Sequence, residues 1–233
     1  MSEKATDILV HRIHSLEKPV LGLATGSTPE GLYQRLIEEF EQGAISFKHV
    51  TTFNLDEYVG LGQNDSNSYY QFMNEKLFRH VDIAMERIHI PNGTALDLGK
   101  ECDAYEHAIE QAGGIDIQLL GIGANGHIGF NEPGTPFSSK TDIVDLEKTT
   151  IQANARFFHS IEEVPTQAVS MGIETIMNSK EILLLVSGEA KADAMAKLLA
   201  GEVSEDFPAS ILNNHANVTV IVDEAALADP KQK

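Results

Sequence analysis

The sequence predicts an α/β protein built on a mainly parallel sheet, and three observations lead there. Short, continuously apolar runs recur along the chain, among them PVLGLA at 19–24, IQLLGI at 117–122 and EILLLVS at 181–187. Longer stretches with an apolar period near 3.6 lie between them. Strands buried on both faces read as unbroken apolar runs, and the intervening helices supply the covering layers. No repeat, low-complexity tract or linker interrupts the pattern, so one domain over residues 1–233 is expected.

Ala5, Ile8, Leu9 and Leu16 predict a first amphipathic helix, with PVLGLA following as a strand. TPEGLYQRLIEEF, 28–40, predicts a helix with Leu32, Leu36, Ile37 and Phe40 on one face. Thr28 suits its N-cap and Pro29 its first helical position. HVTTFNL at 49–55 is the second strand, and YYQFMNEKLFRHV at 69–81 is helical. A helix around 97–112 ends at the stop signal Gly113-Gly114. IQLLGI, EILLLVS and NVTVIV (217–222) are further strands. Pro165 marks the start of a helix expected over roughly 165–177, and 189–200 is helical with Ala192, Met195, Ala196 and Leu199 clustered. Residues 131–160 are polar and poorly periodic, which predicts a functional or mobile, lid-like segment.

Composition narrows the function. Of 233 residues, 42% are hydrophobic and 22% charged, enough for a sizeable core. With 35 acids against 17 bases the net charge is −18, which repels a nucleic acid backbone. An anionic substrate then needs a local basic pocket against that field. A single cysteine, Cys102, excludes an internal disulfide and points to a reducing cytosol. No zinc-ligand spacing is present, and no metal is expected. MSEKATDILVHRI carries no signal-peptide pattern, and no apolar run approaches the ~20 residues of a membrane helix. A cytoplasmic protein with no membrane partner is the expectation.

In open α/β sheets ligands bind beyond the carboxyl ends of the strands, so the loop leaving each strand matters most. TGSTPE, 25–30, leaves the first: Gly26, Ser27 and Thr28 at a helix start make either a phosphate cradle or an ordinary capped turn. It lacks the lysine and spacing of a nucleotide-triphosphate loop. LDEYVG, 55–60, leaves the second, and its acids are either solvated and capping or a positioned general base. Asp56 is then the better base, with Glu57 pointing to the opposite side of an extended chain. GIGANGHIGFNEPG, 121–134, leaves the third; Gly129, Asn131 and Pro133 exclude a helix, so His127 and Glu132 can converge on one cavity. SGEAKADAMAK puts Lys191 in a helix's first turn, where a cation opposes the dipole. Arg156, within ANARFFH, either closes over an anion or makes a plain salt bridge.

Taken together, LGLATGSTPEGLY, TTFNLDEYVGL, LLGIGANGHIGFNEPGT, ANARFF and SGEAKADA resemble the glucosamine-6-phosphate deaminase family, in its order and over nearly the whole chain. The resemblance implies a three-layer α/β/α modified Rossmann-like fold. It also implies conversion of D-glucosamine 6-phosphate and water to D-fructose 6-phosphate and ammonia, in amino-sugar catabolism, with no cofactor, nucleotide or metal. By the same resemblance Asp56 is the proton acceptor in enolisation, and His127 opens the sugar ring with help from Glu132 and Asn125. Gly26, Ser27, Thr28, Arg156 and Lys191 hold the phosphate. The partner is then a small sugar phosphate, and the chain a monomer or small homo-oligomer.

Two positions depart from the family. Many members carry aspartate where this chain has Asn125; an amide oxygen can still set the tautomer of His127, but without a charge. The members activated by N-acetylglucosamine 6-phosphate have basic residues soon after Asn-Glu-Pro, where this chain has GTPFSSKTDIV with Asp142 and Val144. Hyperbolic kinetics without that activation are therefore expected. The competing readings are a 6-phosphogluconolactonase-like hydrolase, whose Gly-Asp-Gly-His-Thr loop this chain does not match, and a non-enzymatic sugar-phosphate sensor.

Overall fold

β-Branched and leucine-rich runs, buried on both sides, build the centre of the molecule. The computed structural model describes residues 1–228, without the side chains of Ala153 and Phe157; the last five residues of the expected domain lie outside the described residues. The helices are α1 (Ser2–Ser15), α2 (Glu30–Glu41), α3 (Tyr69–Lys76), α4 (Leu98–Gln111), α5 (Lys148–Asn154), α6 (Ile173–Met177) and α7 (Ala192–Ala200). The strands are β1 (Val20–Leu23), β2 (Thr51–Asn54), β3 (Asp56–Tyr58), β4 (Ile88–His89), β5 (Ile117–Leu120), β6 (Asp142–Asp145), β7 (Gln167–Ser170), β8 (Ile182–Val186) and β9 (Val218–Val222).

Six of these strands form one sheet in the order β4-β2-β1-β5-β8-β9, parallel at every pairing. β1, β5 and β8 are buried along their whole length, as central parallel strands between helical layers must be. Each fully buried Leu or Ile there contributes about 1.5–3 kcal/mol. α4 packs Tyr105 edge-on against Phe53 of β2, with ring centroids 5.7 Å apart. At the far edge β9 leaves Val220 39% exposed, so its apolar run covers one face only. The α/β fold with a mainly parallel sheet flanked by helices is therefore as expected.

Three local expectations need correction. The helix expected over 165–177 is instead β7 followed by α6, parted by Met171-Gly172. Its apolar residues suit either period, and pairing decides: Ala168 and Val169 are buried between β3 and β6 in a second, antiparallel sheet of order β3-β7-β6. α2 begins at Glu30 with Pro29 as its cap residue, so Thr28 does not cap it; its hydroxyl lies 3.2 Å from that of Ser187 instead. In α7 the buried face is Ala192, Ala194, Met195 and Leu198, leaving Leu199 68% exposed and Ala196 exposed. A 3-10 turn at Glu189–Lys191 precedes this helix and sets its phase.

Candidate active site

The order β2-β1-β5 makes β1 the point from which the chain winds outward in both directions. Loops after β1 and β5 consequently leave on opposite sides, and the crevice between them is where open α/β sheets bind ligands. A cavity of about 750 Å³ opens there. Seven of the nine residues singled out from the sequence line it: Gly26, Ser27, Thr28, Asp56, His127, Arg156 and Lys191. Asn125 and Glu132 stand behind His127, the first hydrogen-bonded to its ring and the second 3.4 Å from Nδ1.

Asp56 and Glu57 are neighbours with different surroundings. β3 is extended, so the two side chains leave on opposite sides. Glu57 accepts backbone N–H bonds from Tyr58 at 2.9 Å, Tyr69 at 3.0 Å and Tyr70 at 2.9 Å, and so holds the start of α3. Burial nevertheless raises it to about 7. Asp56 faces the cavity, only 7% exposed. Burial, then repulsion from Glu57, pushes its carboxyl up to about 8. A carboxylate that binds its proton so firmly is a strong base once it ionises.

Beside it, Tyr58, Tyr69, Phe130 and Phe158 form an aromatic wall, with ring centroids 4.8–6.2 Å apart. Tyr69 donates to the Tyr58 hydroxyl at 3.1 Å, and burial raises Tyr58 to about 12, so this wall stays neutral. It supplies the low-dielectric surroundings that lift Asp56.

The loop after β5 gathers three polar side chains. Asn125 Oδ1 accepts from the backbone N–H of His127 at 3.2 Å and lies 2.7 Å from its Nδ1. Asn125 Nδ2 donates to Glu132 Oε2 at 2.7 Å, and that oxygen is 3.4 Å from His127 Nδ1. The amide thus joins ring to carboxylate, a bridge that a second carboxylate could complete only by carrying a proton. It also fixes Nδ1 as the donor and leaves Nε2 as the ring's acceptor. The charge partner that Asn125 cannot be is supplied by Glu132. Burial raises Glu132, but its bonds with His127, Thr150 and Asn125 outweigh that and hold it below the usual carboxylate range.

Glycine is required at two places in this loop. A Cβ on Gly123 would sit 2.3 Å from the His127 ring, so the imidazole rests directly on the backbone. Gly126 has φ of +90° and carries the Phe207 ring where a Cβ would be. Phe207 belongs to a brace over 204–210 that docks on both ends of the loop. Ala209 N–H donates to Gly126 C=O at 2.9 Å and Gly134 N–H to Glu205 C=O at 2.8 Å. The Glu205 carboxylate accepts from Phe137 N–H at 2.9 Å.

Cations also face this cavity. Lys191 closes the 3-10 turn ahead of α7, and burial, then the nearby Arg156 charge, pulls its ammonium below the usual lysine range. Two cations facing one cavity in a chain of net charge −18 make a place for a dianion. Gly26, Ser27 and Thr28 add backbone and hydroxyl donors from the β1 side, and Ser187 adds a hydroxyl from the β8 side. Among the described residues no three His, Cys, Asp or Glu side chains gather as a metal-binding group.

Sequence reasoning missed Tyr58, Tyr69, Thr150, Asn154 and the brace. Tyr58 stood in a strand-end motif and Tyr69 at the start of the next helix, but Thr150 and Asn154 lie in a segment with no readable period, and the brace begins 70 residues beyond the loop it supports.

The family described as glucosamine-6-phosphate isomerases/6-phosphogluconolactonase matches residues 1–221. A glucosamine-6-phosphate deaminase of Oceanobacillus iheyensis is 62% identical, over 98% of this chain and 92% of its own length. A solved monomeric glucosamine-6-phosphate deaminase superposes with a TM-score of 0.96 at 54% identity, over 97% of this chain and 94% of that one. A 6-phosphogluconolactonase from Trypanosoma cruzi, at 23% identity and a TM-score of 0.77 over 99% of this chain and 92% of that one, shares the fold alone.

Proposed function

Because the chain belongs to the glucosamine-6-phosphate isomerase/6-phosphogluconolactonase family, we infer that it converts D-glucosamine 6-phosphate and water to D-fructose 6-phosphate and ammonia. One observation supports this most: one cavity is lined by two cations and by a buried base beside the histidine of an Asn–His–Glu array. A hexose phosphate needs both sets of groups, with its dianion on C6, four carbons from the reacting C2 and five from C1.

Arg156, Lys191 and the Gly26–Thr28 loop hold the 6-phosphate in this reading. His127, its Nδ1 committed to Asn125, takes the C1 hydroxyl proton at Nε2 and returns a proton to the ring oxygen, which opens the pyranose. Glu132 steadies the imidazolium between the two transfers. Asp56 then removes the proton from C2 while the substrate's ammonium gives up one proton to O1, leaving an enolamine, and Asp56 delivers its proton to C1. Its raised pKa suits both halves of that transfer, strong base first and proton reservoir second. The resulting C2 iminium adds water and expels ammonia, leaving the ketose.

The purified chain should release ammonium and fructose 6-phosphate in equal amounts from glucosamine 6-phosphate. Binding without release of either product, at micromolar protein, would support a sensor and sink the assignment.

A further inference from the structure

Thr150 and Asn154 are four residues apart on α5 and so share one face of that helix. Both point at the site. Thr150 is buried, and its hydroxyl donates to Glu132 Oε1 at 2.5 Å. Asn154 donates from Nδ2 to the Tyr58 hydroxyl at 2.8 Å. Tyr58 is two residues from Asp56 on β3 and therefore on the same side of that strand. One helix face thus bonds the carboxylate beside His127 and the strand that presents Asp56. Arg156 follows α5 by two residues, so the seating of this helix also places one of the two cations.

The bonds on Glu132 divide by origin. Asn125 and His127, from its own loop, both meet Oε2, at 2.7 and 3.4 Å. Bonds to one oxygen leave a carboxylate able to turn about its last torsion, a broad and nearly two-fold one. Thr150 reaches the other oxygen from a different element. We propose that Thr150 is a positioning residue for the ring-opening carboxylate, holding Oε1 from α5 so that Oε2 stays aimed at Asn125 and His127. This rests on the assignment of Glu132 to ring opening.

The groups that act on the Glu132 carboxyl are His127 and Asn125 from its loop and Thr150 from α5, and of these His127 alone can carry charge. Thr150→Val keeps the shape and removes the donor. The Glu132 carboxyl, followed by ¹³C NMR of labelled glutamate, should then titrate at higher pH than in the wild type, and Thr150→Ser should restore it. In turnover, Thr150→Val should lower kcat about tenfold or more, as loss of a bond to a charged group does, with KM changed less than about threefold. Placed on Glu132→Gln, it should add no further loss. Unchanged Glu132 titration in Thr150→Val, equal losses for Val and Ser, or a fully additive loss on Glu132→Gln would overturn the proposal. The NMR titration needs no turnover, so a wild-type chain that released no ammonium would sink the assigned activity and still leave the role of Thr150 decided.

Discussion

The groups proposed to hold the anion come from loops one step from a central strand, Gly26–Thr28 after β1 and Lys191 after β8, joined by Arg156 from beyond α5. Those proposed for proton transfer come from β3, the loop after β5 and, behind them, α5 and the 204–210 brace. The first set uses what parallel strands offer locally: glycine, hydroxyls and cations at strand ends. The second depends on packing between distant segments, and burial works against the charges it contains. Asp56 and Lys191 show the contrast, since burial disfavours the charge of each. A bound phosphate relieves that cost for Lys191, whereas for Asp56 the cost is the source of its basicity.

The largest expected effect comes from removing the cost at Asp56. Its folded-state pKa of about 8 lies above the unfolded value of about 3.9, so the folded protein holds the proton more tightly. The destabilisation from ionised Asp56 is therefore full above pH 8, shrinks as pH falls, and is gone below about 4. Asp56→Asn should raise stability to chemical denaturation at pH 9 by the order of a few kcal/mol, with the gain fading towards pH 4. A gain independent of pH would mean that Asp56 is not buried as a strained acid. Glu57 is present in both proteins and is freed of the Asp56 charge in the variant, so the gain includes relief of that repulsion.

The anion-holding groups should respond in affinity. Arg156→Ala should raise KM for glucosamine 6-phosphate about 10–100-fold, the loss of a charged hydrogen bond or two, and weaken inhibition by inorganic phosphate in parallel. A loss confined to kcat would move Arg156 to the proton-transfer set. The brace should give the smallest effect and the opposite signature. Phe207→Ala lets the Gly126 turn relax, which should lower kcat about fivefold to tenfold while phosphate inhibition stays as in the wild type. Equal weakening of phosphate inhibition would break the separation of the two sets.

That separation also explains what was legible in the sequence. β1, β5 and β8 were readable because burial on both faces leaves an unbroken apolar signature. Position at strand ends pointed to Gly26–Thr28 and Lys191, and the cavity brings them together with Arg156. Asp56, His127 and Glu132 also announced themselves through a strand end and a cluster of glycines. β7 did not, because QAVS fits a helix or a strand until β3 and β6 flank it. Thr150, Asn154 and Phe207 were hidden for a related reason. Each acts on a residue 18 to 96 positions away, and no local period encodes such a contact. The misread phase of α7 is a smaller case, set by a single 3-10 turn that propensity does not reveal.

The central claim is that Asp56 supplies the proton transfer and does not hold the substrate, and Asp56→Asn tests it most directly. Ammonium release from glucosamine 6-phosphate and binding of inorganic phosphate, the latter by calorimetry, are to be measured on the same preparation beside wild type. Turnover should fall about 10³-fold, the scale of a lost general base, with phosphate affinity within about twofold of wild type. Retained turnover, or phosphate binding lost along with it, would contradict the account.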